Sequence, residues 1–141
     1  MTLERKKADL KVKGVLLTIQ RSAVLDYLHG NTQHPTAEEI YQTLIGTYPA
    51  LSRATVYNTL GLFKQQGLVQ EITIERGKAH YDSNTALHHH FYCRHCGKIY
   101  DVAPEKIHVA YEACMDGHQM EEAQLYIIGT CSACRKERLN A

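Results

Sequence analysis

Nowhere in its 141 residues does the chain gather a long apolar run, and a membrane-crossing helix needs about 18–20 consecutive apolar residues. No secretory leader is expected either. The opening MTLERKKADLKVKG alternates charge with aliphatics instead of building an apolar stretch behind a basic start. These absences lead us to expect a soluble, untargeted cytoplasmic protein with no membrane partner. Neither sign of charge prevails, because 16 Lys and Arg oppose 15 Asp and Glu. Length is also limited. A lone core of fewer than about 70–80 residues rarely supplies enough stability, so two half-chain domains would call for a staple or a partner.

The even balance conceals an asymmetry. Residues 1–82 carry ten Lys and Arg against eight Asp and Glu, and residues 83–141 carry six against seven. The excess sits early, where Arg5, Lys6, Lys7, Lys11, Lys13 and Arg21 face only Glu4 and Asp9. Such a cluster suits a polyanionic partner, or else the solvated face of a basic helix. Five cysteines in a chain expected to stay in a reducing compartment point to metal or thiol chemistry before disulfides.

The first half reads as short helices followed by a hairpin. Thr18 is placed to cap a helix whose stripe is Ile19, Ala23, Val24, Leu25 and Leu28, ending near Gly30. In PTAEEIYQTLI, Thr36 and Glu39 form a capping box ahead of Ala37, Ile40, Tyr41 and Leu44. Pro49 argues against continuation, so the chain should turn at TYPALS. Ser52 then caps RATVYNTLGLFKQQ, which Gly67 stops. Val56, Leu60 and Phe63 share its inner side, while Ala54, Asn58, Gly61 and Gln65 leave the outer side small and polar, flanked by Tyr57 and Lys64.

LVQEITIERGKAHYD reads as two alternating strands around Arg76 and Gly77. Helix, helix, turn, helix and basic-tipped hairpin is the order of a winged helix-turn-helix, whose last helix enters the major groove. Candidate DNA contacts are Arg53, Thr55, Tyr57, Asn58 and Lys64 on that helix, Arg76 and Lys78 on the wing, and Lys11 and Lys13 near the N-terminus. The predicted organisation is α+β: a winged-helix DNA-binding domain over 1–82, a hinge over 83–87 (SNTAL), and a small α/β dimerisation and metal-binding domain over 88–141. In the second domain we expect strands near 88–93 and 98–102, a helix after Pro104, and an apolar strand AQLYIIGTC. Edge strands and exposed aliphatics there favour a dimer.

The strongest chemical signal is Cys93-x2-Cys96 with Cys131-x2-Cys134, two knuckles separated by thirty-four residues. They can converge on one tetrahedral Zn²⁺. Four thiolates leave no open position, which makes this a structural ion, and Gly97 permits the tight turn after Cys96. Cys114 lies outside both knuckles and reads as a small buried hydrophobe on a helix. The histidines of HHHFYCRHCGKIYD are a separate matter. On a strand His88 and His90 point one way and His89 the other, so His88 and His90 could begin an N/O metal site, or form a solvated surface. Asp101 and Asp82 are the nearest carboxylates able to complete it, and His34 precedes a helix start.

LTIQR, HPTAEEIY, LSRATVYNTL, HHHFYCRHCGKIYD and the final CxxC occur in an order that resembles the ferric uptake regulator family over nearly the whole chain. The chain is most similar to the peroxide-responsive branch. The resemblance implies a homodimeric repressor that binds double-stranded operator DNA and carries a four-cysteine structural zinc. It also implies a regulatory Fe²⁺ or Mn²⁺ held at the hinge by His34, Asp82, His88, His90 and Asp101. Asp101 and Asp82 match the peroxide branch, because iron-sensing relatives have Glu at those positions. Hydrogen peroxide would then oxidise a histidine ligand, His34 or His88, and release metal and DNA. The family's optional further metal site falls here on Leu87, His89, His108 and Ala123 and is not expected to form, although two histidines keep a weak site in view. The alternatives are an iron- or zinc-responsive repressor of the same family and, from a different class, a small metallohydrolase built on His-x-His and Asp. No general base or substrate pocket is legible for the latter, so no enzyme activity is expected.

Overall fold

The computed structural model describes residues 1–108, 110 and 115–140. The chain divides into two compact units, 1–85 and 86–141. Each has its own architecture.

The first unit is a winged helix-turn-helix. Helix α1 spans Leu3–Val12, α2 Ile19–Leu28, α3 Ala37–Leu44 and α4 Arg53–Gln65, followed by strands β1 (Gln70–Ile72) and β2 (His80–Asp82). Each helix begins at a side-chain cap. Thr2, Thr18, Thr36 and Ser52 accept from the N–H groups of Arg5, Arg21, Glu39 and Thr55. The Thr36 N–H in turn donates to the Glu39 carboxylate at 2.7 Å, completing the capping box. These bonds satisfy donors that a helix start otherwise leaves open.

Helix α4 ends as Gly67 implies. With φ +70°, Gly67 lets the Leu68 N–H reach the Phe63 carbonyl at 2.9 Å while its own N–H reaches Lys64. Helices α2, α3 and α4 pack together around Val24, Leu28, Ile40, Val56, Leu60 and Phe63, all nearly inaccessible to solvent. Burial of each such side chain contributes about 1.5–3 kcal/mol. Ile19 departs from the expected stripe and is 77% exposed. It sits in the first turn of α2, and periodicity assigns a face without saying whether another element covers that end.

β1 and β2 pair antiparallel, with Gln70 opposite Asp82 and Ile72 opposite His80. The strands are shorter than the alternation in sequence suggested. The intervening turn closes with the Lys78 N–H on the Glu75 carbonyl at 3.2 Å. An isolated bridge joins Thr36 to His80, and the Tyr81 N–H donates to the Pro35 carbonyl at 2.9 Å, so β2 is also sewn to the start of α3.

The second unit is a three-stranded sheet in the order β4-β3-β5, with β3 His89–Cys93, β4 Ile99–Val102 and β5 Tyr126–Gly129. β4 runs antiparallel and β5 parallel to the central β3. A 3-10 turn covers Pro104–Lys106, and helix α5, Ser132–Leu139, closes the unit. Of the helix expected after Pro104, the described residues show a single 3-10 turn at its start; much of the remainder, with Cys114, lies outside the described residues. The expected AQLYIIGTC strand is confined to Tyr126–Gly129. Buried apolar material is scarce here. Among the described residues it consists of Ile99 and the three cysteines Cys93, Cys131 and Cys134, with Phe91 packed alongside the sulfurs. No helix among the described residues is long and apolar enough to cross a membrane.

Candidate functional site

The four cysteines converge. One sulfur from each of Cys93, Cys96, Cys131 and Cys134 lies within 4.8 Å of all the others. Cys96 Sγ and Cys131 Sγ are 3.9 Å apart, close to the ~3.8 Å edge of a tetrahedron with Zn–S bonds of about 2.3 Å. The first knuckle is shaped by Gly97, which takes φ +74° and donates its N–H to the Cys93 carbonyl at 2.9 Å. The second knuckle opens α5, and its Cys131 N–H donates to Cys93 Sγ at 3.3 Å.

The Cys131 and Cys96 N–H groups stabilise negative charge on Cys93, holding its thiol down at about 6. Burial, with the neighbouring sulfurs, pushes Cys134 up to about 12. Four close sulfurs without a cation cannot all ionise, whereas a divalent ion would allow it. The donor set and its spacing fit a closed structural Zn²⁺ site. Tyr100, hydrogen-bonded to Cys131, is pushed up to about 12.

The five candidate regulatory residues form a pair in the first unit and a trio in the second. In the first unit, His34 and Asp82 are both buried, with Nε2 and Oδ2 3.4 Å apart. His34 adopts φ +52°, a backbone conformation uncommon outside glycine. In the second unit, Asp101 Oδ1 lies 3.2 Å from His88 Nε2 and 3.5 Å from His90 Nε2. The two rings meet edge to face with centroids 4.5 Å apart. The Ala86 carbonyl accepts from His88 Nδ1 at 2.7 Å, which turns Nε2 toward Asp101. Separations of 3.2–3.5 Å are close to those between ligands on one ion with bonds of about 2.1 Å, for which the edges are roughly 3.0–3.4 Å.

His89 is buried apart from this set. Its Nδ1 has no hydrogen-bond partner, and it joins no group of three or more His, Cys, Asp or Glu donors among the described residues. His108 and Leu87 are exposed.

On α4, Ala54, Tyr57, Asn58, Gly61, Lys64 and Gln65 are exposed, while Thr55 is partly covered. Several candidate DNA-contacting cations are engaged within the first unit. Arg53 forks onto Glu38 at 2.9 and 3.0 Å and lies over the Tyr41 ring, 4.4 Å from its centroid. Hydrogen bonding to Arg53 holds the Glu38 carboxyl down at about 2. Lys64 pairs with Glu71, Lys78 with Glu75, and Lys13 reaches the Gln66 carbonyl at 3.5 Å. Arg76 and Lys11 are exposed.

Lys6 was read from sequence as part of a basic face but is only 6% exposed. Its ammonium donates to the Ser83 carbonyl at 3.3 Å. Burial lowers its pKa from the ordinary lysine value, and the Asp82 charge opposes that shift. Nothing in a run of charged residues marks one lysine as internal.

Residues 12–128 match the model of the Ferric uptake regulator family. The peroxide operon regulator of Bacillus subtilis is 39% identical over 130 residues, which is 91% of this chain and 90% of that protein. The solved structure of PerR from Streptococcus pyogenes, described in terms of peroxide sensing and gene regulation, aligns with a TM-score of 0.57 at 31% identity, over 94% of this chain and 92% of that one. Helicobacter pylori Fur, described as having three functional metal binding sites, aligns with a TM-score of 0.79 at 23% identity, over 96% and 95% of the two chains, and supports the fold.

Proposed function

Since the chain belongs to the ferric uptake regulator family, we propose that it is a metal-dependent, peroxide-responsive repressor of transcription with no turnover of its own. In this reading the first unit binds operator DNA, the second makes the homodimer, and the segment 83–87 is the hinge between them. The His34–Asp82 pair and the His88–His90–Asp101 trio are two parts of one regulatory site for Fe²⁺ or Mn²⁺.

The observation that carries the reading is Asp101 on β4 against His90 on β3 and His88 just before it, three donors already at ligand-like separations before any ion is considered. Similarity to the peroxide operon regulator supports the choice of signal, as does aspartate rather than glutamate at 82 and 101. Three imidazoles and two carboxylates suit a first-row divalent ion better than the soft thiolate set does. When bound, Fe²⁺ supplies the redox chemistry by which hydrogen peroxide adds oxygen to a neighbouring imidazole, and Mn²⁺ does not.

The protein's own residues supply the rest. The Ala86 carbonyl orients the His88 ring, and Asp101 holds it beside His90. The buried Asp82 holds His34. Joining the two sets fixes the hinge, and with it the separation of the two α4 helices in a dimer, which must match half-sites one helical turn or a multiple apart. Oxidation of His34 or His88 removes a ligand lone pair, weakens that tie and lowers DNA affinity. Strong switching requires a differential affinity of several kcal/mol between conformers.

The test is to load the protein with Fe²⁺ or Mn²⁺, add hydrogen peroxide, and follow operator binding together with peptide mass spectra. The expected result is one added oxygen on a peptide bearing His34 or His88 and loss of DNA, with Fe²⁺ only. An Fe²⁺ form that stays unmodified and keeps its DNA overturns peroxide sensing and leaves an iron-responsive repressor.

A further inference from the structure

His80 lies on β2, 8% exposed, and belongs to neither candidate metal set. Its ring is held at both ends. Nδ1 donates to the carbonyl oxygen of His34 at 2.7 Å, the only sense possible because a carbonyl can only accept. Nε2 stands 2.8 Å from Oε2 of Glu75, at the start of the wing turn. Glu75 is itself fixed by Lys78, 3.4 Å away, and hydrogen bonding to His80 lowers its carboxyl from the usual glutamate range.

The residue at the far end of this chain of contacts has an uncommon backbone. His34 adopts φ +52° immediately before Pro35, a conformation that a side-chain-bearing residue keeps only where its surroundings impose it. Three contacts from β2 impose it: the His80 ring on the His34 carbonyl, the Tyr81 N–H on the Pro35 carbonyl, and the Thr36–His80 bridge. The same strand carries Asp82, whose carboxylate faces His34 Nε2. One strand therefore presents a carboxylate directly and aims an imidazole through its peptide.

We infer that His80, braced by Glu75, is a positioning residue for the regulatory metal site, fixing the His34 peptide so that its imidazole stays directed at Asp82. This rests on the reading of His34 and Asp82 as metal ligands. It adds a residue that touches no ion and ties the wing turn to a ligand. Groups that orient metal ligands typically cost about 10–100-fold in affinity when removed.

The experiment measures Mn²⁺ affinity, and the ligand-field spectrum of Co²⁺ as a substitute ion, on zinc-loaded full-length protein. The expected result for His80→Ala is a Mn²⁺ Kd raised about 10–100-fold, with an altered Co²⁺ spectrum and unchanged zinc content. His80→Asn, whose amide nitrogen can occupy the place of Nδ1, should recover most of the affinity and the native spectrum. Glu75→Ala, which leaves the ring in place and removes only its brace, should fall between wild type and His80→Ala, and it serves if His80→Ala fails to fold. Wild-type Mn²⁺ affinity in both alanine variants overturns the inference, as does equal weakening in His80→Ala and His80→Asn, which would make the ring mere filling. A wild-type protein that binds no Mn²⁺ or Co²⁺ beyond its zinc overturns the functional reading itself, and this inference with it.

Discussion

The backbone N–H of Cys131 donates to the sulfur of Cys93 across 3.3 Å, joining two residues 38 positions apart. The bond runs from the start of α5 to the end of β3, and it orients the sulfurs through the backbone. Because the second unit buries so little other apolar material among its described residues, binding energy at these sulfurs should be folding energy. Zinc removal by a strong chelator, or Cys93→Ser, should unfold residues 86–141 and, on the proposed reading, abolish the dimer, while the helical signal of the first unit persists. Circular dichroism with zinc analysis and sedimentation checks this; an apo protein that keeps both its dimer and its sheet counts against it.

Asp101→Glu tests what is sensed. The longer carboxylate can still reach His88 and His90, so Mn²⁺-dependent operator binding should survive within a few-fold. Oxygen incorporation on the peptides bearing His34 or His88 after Fe²⁺ and peroxide should fall by on the order of tenfold or more, about 1.4 kcal/mol in the barrier. Mass spectra matching wild type would remove aspartate at 101 from the argument for peroxide sensing.

Tyr57 is 55% exposed on α4 and lies outside the apolar cluster of the first unit. Tyr57→Ala should change stability by no more than about 0.5 kcal/mol and weaken operator binding by roughly tenfold, about 1.4 kcal/mol. Gel-shift titration beside thermal melting separates the two effects. Unchanged affinity would displace α4 as the reading helix.

On the proposed reading Glu38, which Arg53 forks onto, competes with DNA for that guanidinium. Glu38→Ala should free the guanidinium for a phosphate, raising affinity at low salt and steepening the dependence of log K on log salt by about 0.9. The same pair has a pH signature. Glu38 is held at about 2, below its ordinary 4.5, so its contribution to stability is fully present above pH 4.5 and is lost as pH falls through 2. Glu38→Gln should therefore differ from wild type by a constant amount above pH 4.5, and the gap should close below it. A gap undiminished at pH 2 contradicts the assignment.

Phe63 is fully buried between α4 and its neighbours. Phe63→Ala should cost about 3–5 kcal/mol, comparable to the whole stability of a small domain. Urea denaturation followed by far-ultraviolet dichroism would register it, and a loss under 1 kcal/mol would contradict the packing described.

Helices α2, α3 and α4 were legible because their signals are local: a hydroxyl three residues from the N–H it accepts, and an apolar stripe behind it. Helix α1 was not, since its ten residues bury only Lys6 and Leu10 and the stripe is too thin to register. Helix α5 was missed for the same reason; it buries only Cys134. The metal-ligating types stood out by spacing in the knuckles, and by alternation for His88 and His90. What no local pattern could give was β2 reaching back to the start of α3. The Thr36–His80 bridge and the His80–His34 bond join residues more than forty positions apart, and without them His34 is one histidine before a proline.

The parallel pairing of β3 with β5, clasped by two knuckles whose Cys96 and Cys131 sulfurs lie 35 positions apart, makes everything between them a closed circuit. In such a circuit length is cheap. Doubling the number of intervening residues would cost only about 0.6 kcal/mol of closure entropy. Insertions and deletions between β4 and β5 should therefore be tolerated in evolution, whereas one inside either strand shifts its register on β3 and one inside either CxxC opens the ring.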